Sequence, residues 1–139
     1  MSKGTTTDND FIKLVFLNAA NDPVWRGNAN LYVSLHTADP TAAGDQTTNE
    51  TSYTNYTRMA VAKTVAGWTI SGVQASNAGL IQFAVCGAVP GAAITYVAVG
   101  LLPAGAGQIL YSGILAVPLV IATLVQPQFS IGSLIITES

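Results

Sequence analysis

The sequence predicts an all-β protein, a two-layer antiparallel β-sandwich with one N-terminal helix, for which a jelly roll is the natural topology. Three observations carry this. Short apolar runs recur after Tyr56, as TRMAVAKTV, GWTI, GLIQFAVC, AAITYVAVGLL, QILYSGILAV, LVIATL and GSLIITE. Gly, Pro, Asn or Ser falls between most of them, the pattern of about seven or eight short strands joined by turns. The length, 139 residues, suits one domain, which at that size buries roughly two thirds of its unfolded surface without a disulfide or metal staple.

Taken in order, residues 1–6 read as a flexible polar arm. A helix is expected over 7–21, with Thr7 as N-cap in TDND and Pro23 beyond its end. Its apolar residues Phe11, Ile12, Leu14, Val15, Phe16 and Leu17 wrap most of the circumference, so it should pack on more than one side, capping the sheet or docking on another subunit. In LYVSLH, Leu31, Val33 and Leu35 alternate with Tyr32, Ser34 and His36. The first set should face the core and His36 should point outward. Residues 37–57 form a long loop rich in Thr, Asn, Asp and Gly, and loops of this length are usually functional or mobile. Asp39 before Pro40 opens a turn there, and Gly44 is expected to take a left-handed conformation. Residues 7–139 are read as one domain.

Half the residues are apolar, 9% are charged, and the net charge is -2. From Thr64 to Thr137 there is no charged side chain at all, which favours self-association or burial against a partner. The lack of a basic footprint argues against nucleic acid. Two long apolar stretches invite a membrane reading, but Pro90, Pro103 and Pro118 interrupt them and no Lys or Arg flanks them, so no membrane partner is expected. The N-terminal residues lack the apolar core of a secretory signal, so synthesis in the cytoplasm is expected. Chemistry finds little support. His36 is the single histidine, no GxSxG elbow is present, and Cys86 lies far from His36 in sequence. The loop carboxylates Asp39, Asp45 and Glu50 read as solvated. The expectation is a non-enzyme with no catalytic, cofactor-binding or metal-ligating residues.

LYVSLHTADPTAAG, then Glu50, YTNYTR and MAV, resemble a family of small tailed-bacteriophage proteins. Its members share a strand ending in Leu-His-Thr-x-x-Pro, a Gly-containing loop, a glutamate and a Tyr-x-Arg. SNAGLIQF and GQILYSGILAVP extend the likeness; VIATLVQPQF departs from it by lacking a Gly-Asp turn, with Pro127 in its place. Family members are often labelled tail-fibre proteins, and related small phage β-sandwich proteins are capsid decoration, or cement, proteins. The resemblance therefore implies a virion component. The leading expectation is a cement protein made in the host cytoplasm, bound as a homodimer or homotrimer to the major capsid protein on the outer capsid surface. The alternative is a tail or tail-fibre component that binds a receptor or a tail subunit. Partner contacts are expected from Thr5, Thr6, Asp8, Phe11, Ile12 and Phe16, and from Asp39, Asp45 and Glu50 in the loop. Trp25 and Tyr53 are candidate aromatic anchors. Arg58 is expected to pin the loop through Glu50 or Asp39. On this reading His36→Ala leaves the fold intact and Leu35→Asp unfolds it.

Overall fold

Ten strands, one α-helix and a single 3-10 turn (Val24–Gly27) appear in a computed structural model, which describes residues 1–16 and 23–138. The strands are β1 (Ser2–Lys3), β2 (Asn30–His36), β3 (Met59–Ala62), β4 (Trp68–Ser71), β5 (Gln74–Asn77), β6 (Ile81–Gln82), β7 (Ile94–Gly100), β8 (Ile109–Leu119), β9 (Gln128–Phe129) and β10 (Ile135–Thr137). One layer is a five-stranded sheet, β1-β8-β7-β2-β3. The other consists of β10-β5-β4 and the short pair β6-β9. Every pairing is antiparallel. Between the layers lie Val33, Leu35, Val97 and Val99 from the large sheet, packed with Trp68, Phe83, Phe129 and Ile136. The protein is an all-β sandwich with one helix, as its apolar runs predict. Its strands group as five, three and two, not as the four and four of an eight-stranded jelly roll.

β2 shows the expected alternation on its core face, where Val33 and Leu35 are fully buried. Its other face is buried too: Ser34 and His36 have no exposure. The 37–57 segment folds back over that face, so His36 is not outward-facing as the alternation predicts. A polar strand face signals solvent only when nothing covers it.

The N-terminal residues also differ from expectation. Ser2 and Lys3 pair with Ser112 and Tyr111 of β8, so residues 1–6 are not a free arm. The helix α1 (Thr5–Phe16) starts two residues before Thr7; the expected stretch 17–21 lies outside the described residues. Gly4 lies against the β8 backbone, where a Cβ would come within 2.5 Å of the Ile109 carbonyl oxygen. Thr7 is not a cap. Its buried hydroxyl donates to the Ile109 carbonyl at 2.9 Å and accepts from Gln108 Nε2 at 3.1 Å.

Two segments further along depart from the strand pattern. β5 is QASN, a sequence with no apolar signal, yet it is the middle strand of its sheet. LVIATL is apolar but leaves the sheet after Leu119, burying Ile121 from irregular backbone and turning at Leu124 with φ +70°. β8 continues through Pro118 because β1 pairs only with Tyr111 and Ser112. The missing N–H of Pro118 interrupts no ladder on that edge.

Candidate interaction surface and the polar hub behind it

The 37–57 loop is held by its own side chains. Asp39 Oδ1 accepts the Thr41 N–H at 2.8 Å, which supports the left-handed Thr41 (φ +62°). Gly44 does not take that conformation. It is needed because a side chain there would strike the Pro40 carbonyl. Asp45 accepts both the backbone N–H and the hydroxyl of Thr47, and these bonds hold its carboxyl below the usual carboxylate range. Residues 49–51 then run beside the end of β2: Thr37 N–H bonds to the Asn49 carbonyl and Thr51 N–H to the Leu35 carbonyl, each at 2.9 Å.

Three buried polar side chains lock this loop to the sheet. Gln46, with no exposure, donates to the Tyr32 carbonyl (3.3 Å) and accepts from the Leu102 N–H (3.0 Å). Gly100 and Gly107 flank its amide so closely that neither position could carry a side chain. Arg58 is the centre of the second lock. Its Nε and Nη2 donate to both Glu50 oxygens at 2.7 and 2.8 Å, and Nη1 and Nη2 reach the carbonyls of Leu102 and Gly105 at 3.0 and 2.8 Å. A planar guanidinium suits this fork of two carboxylate and two carbonyl bonds. Tyr56 completes it, donating to Glu50 Oε1 at 2.9 Å while accepting the Leu35 N–H at 3.0 Å. Burial pushes the Tyr56 phenol up, so it stays a donor.

His36 is the third lock. Nδ1 lies 2.8 Å from the Thr48 carbonyl, which can only accept, so Nδ1 carries the proton and Nε2 accepts the Ser34 hydroxyl at 2.9 Å. Burial holds its pKa below the ordinary 6.5. The neutral ring is therefore the folded form, and the unfolded chain binds the extra proton. Stability from this site is full above about pH 6.5 and falls as pH drops below it, until the lowered folded pKa is reached. The urea midpoint should be lower at about pH 5.5 than at about pH 7.5, and His36→Gln should flatten that slope. Equal slopes in the two proteins would exclude His36 as the cause. His36→Ala is no longer expected to be silent, because it leaves the Thr48 carbonyl without a partner and opens a cavity.

The site residues expected from sequence thus fall into two groups. Glu50 and Arg58 meet inside the protein. Asp39 does not join them and stays exposed. Tyr53 is 2% exposed and donates to the Ala84 carbonyl, so it is a core residue and not an anchor. Thr5, Thr6 and Asp8 are exposed on the first turn of α1. Phe11 turns inward against Trp25, with ring centroids 5.4 Å apart, and the Trp25 indole donates to Asp10 Oδ2 at 3.1 Å. Ile12, Val15 and Phe16 face away from the sheet, Phe16 being 76% exposed. Helical spacing puts these three on one face, so α1 does not bury all its apolar sides within the described residues.

Several residues that organise the molecule carry no chemical signature in the sequence. Asn77 is buried; its Nδ2 donates to Gly79 and Ser130 carbonyls and its Oδ1 accepts the Leu134 N–H. Lys3 bonds to Glu138 at 2.6 Å, and with the Tyr111 hydroxyl it holds the Glu138 carboxyl below the usual range. A sheet-end groove of about 680 Å³ opens between the layers, floored by Leu31, Val99 and Leu110 and walled by Trp68 and Ile70.

Among the described residues there is no cluster of three or more metal-binding side chains. No described helix is long and apolar enough to cross a membrane. A search of curated proteins finds no match. The family model described as Podophage GP4 fiber I protein gp80 matches residues 3–137. That span contains the His36, Pro40, Glu50, Tyr56 and Arg58 framework, and the chain belongs to this family of tailed-phage structural proteins.

Proposed function

We propose that this chain is a non-catalytic virion building block that works as a fibre component, binding a tail subunit or a receptor and associating with itself as a dimer or trimer. The family match over residues 3–137 carries the reading. The structure suits it: buried Gln46, His36 and Arg58 are engaged in bonds that hold the loop, and exposed apolar residues stand on the helix (Ile12, Val15, Phe16) and on the β4–β5 hairpin (Ile70, Val73). Such surfaces bind protein, and repetition around a symmetric particle multiplies modest contacts into strong attachment.

A second reading is capsid decoration: binding the major capsid protein on the outer surface of the head and stabilising the shell by mass action. It is favoured by the uncharged span from Thr64 to Thr137 on a one-domain chain, because a small unit with a neutral face can seat on a shell lattice. Copy number separates the two. Quantitative densitometry of purified virions, with antibody labelling by electron microscopy, should show tens of copies or fewer at the tail for a fibre component. Hundreds of copies over the head would replace the fibre reading with decoration.

A further inference from the structure

We propose that Lys3, Glu138 and Tyr111 form a releasable clasp that ties the first strand to the last along one side of the sandwich and, while shut, completes the wall of the groove between the layers. The proposal goes beyond the function assigned above and holds for a head or a tail location.

Topology leaves this side to side chains. On one side of the molecule the outer strands are β3 and β4, and residues 63–67 run directly from one to the other. On the other side the outer strands are β1 and β10, which stand at opposite ends of the strand order. Glu138, just past β10, joins them. Its Oε1 accepts from Lys3 Nζ of β1 at 2.6 Å, and its Oε2 accepts the Tyr111 hydroxyl of β8. Asp8, in the first turn of α1, places a second carboxylate 3.5 Å from the Lys3 ammonium.

The geometry makes this clasp weak and its release local. Side-chain exposure is 20% for Lys3 and 41% for Glu138, and ion pairs this open to water hold little. β1 is two residues long and pairs only with Tyr111 and Ser112. Release stops at Gly4, because the Thr5 N–H is bonded to the Ala42 carbonyl at 2.7 Å and the Thr7 hydroxyl to the Ile109 carbonyl. At the other end of the chain the Glu138 N–H bonds to the Val73 carbonyl at 2.8 Å, so the same event unfastens the end of β10. Segments with few buried contacts are the first to open. Tyr111 and Glu138 both line the groove, and beside them Leu110 and Ile136, each 7% exposed, line it too. Opening the clasp turns that buried wall into accessible apolar surface.

Amide hydrogen exchange on the full chain, read by NMR, tests the proposal. Lys3→Met should speed exchange at Gly4 and, across the clasp, at Glu138, each by about fivefold or more, while Thr5 keeps its wild-type rate. Glu138→Gln should in turn speed Gly4, and the double variant should exchange no faster there than Lys3→Met alone, since both changes break one contact. Raising sodium chloride from about 0.05 to about 0.5 M should speed both amides in the wild type, which needs no substitution. In a Cys86→Ala background, Ile136→Cys should react with a maleimide faster by a similar factor once Lys3→Met is added. A folded Lys3→Met protein whose Glu138 amide exchanges at the wild-type rate overturns the clasp. Thr5 speeding up together with Gly4 overturns local release, and unchanged thiol labelling beside faster Glu138 exchange overturns the link to the groove.

Discussion

Arg58→Ala should lower stability by about 3–5 kcal/mol, because it strips a buried carboxylate of its counter-charge. The side chain of Arg58 is 2% exposed and that of Glu50 16%, so water cannot replace the lost fork. The carbonyls of Leu102 and Gly105 lose their donors at the same time. For a domain of this size the loss corresponds to a melting temperature lower by roughly 10–20 °C. Arg58→Lys should recover little, since one ammonium cannot span both Glu50 oxygens and two separate carbonyls. Removing both charges, as Glu50→Leu/Arg58→Met, should recover much of the loss. Differential scanning calorimetry decides it: an Arg58→Ala protein melting within about 3 °C of wild type would show that the fork is not what holds the loop.

Leu35→Asp should leave no cooperatively folded protein. Leu35 is fully buried in the core cluster, which holds no cationic side chain to pair with a carboxylate. Leu35→Ala alone would cost about 2–5 kcal/mol through the cavity it leaves. An unpaired charge adds several more, which brings the loss into the roughly 5–15 kcal/mol that holds a typical domain together. Near-ultraviolet circular dichroism and urea unfolding would show it, and a sharp transition in Leu35→Asp would contradict the placement of β2 in the core.

Much of this architecture was readable from residue pattern, and the exceptions have physical causes. The alternation of Leu31, Val33 and Leu35 located β2 and its core face correctly. It misplaced His36 because a rule of period two describes one strand and cannot know that a loop returns to cover the far face. The Glu50 to Arg58 pairing was legible from opposite charges flanking a polar loop. Gln46 was not, since a lone amide among threonines looks like any solvated loop residue until Gly100 and Gly107 make room for it. QASN was missed because β5 is held by neighbours on both sides and needs little apolar character of its own. LVIATL was over-read because burial of Ile121 does not require strand backbone. In α1, the circumference of apolar residues foretold more contact than the described chain supplies.

Two of the three locks that seat the 37–57 loop end on the same distant place, the connection between β7 and β8: Gln46 on Leu102 and Gly107, Arg58 on Leu102 and Gly105. Synthesised from the N-terminus, the chain makes the loop early and its seat late. β1 waits in the same way for Ser112. The order of folding is therefore expected to run against the order of synthesis, with the β7–β8 hairpin forming first and the earlier segments closing onto it. Long-range closure of this kind is slow, and until it happens the aliphatic strands lie open to neighbouring chains. A substitution at Gly107 would act less on its own turn than on how long a newly made chain stays vulnerable.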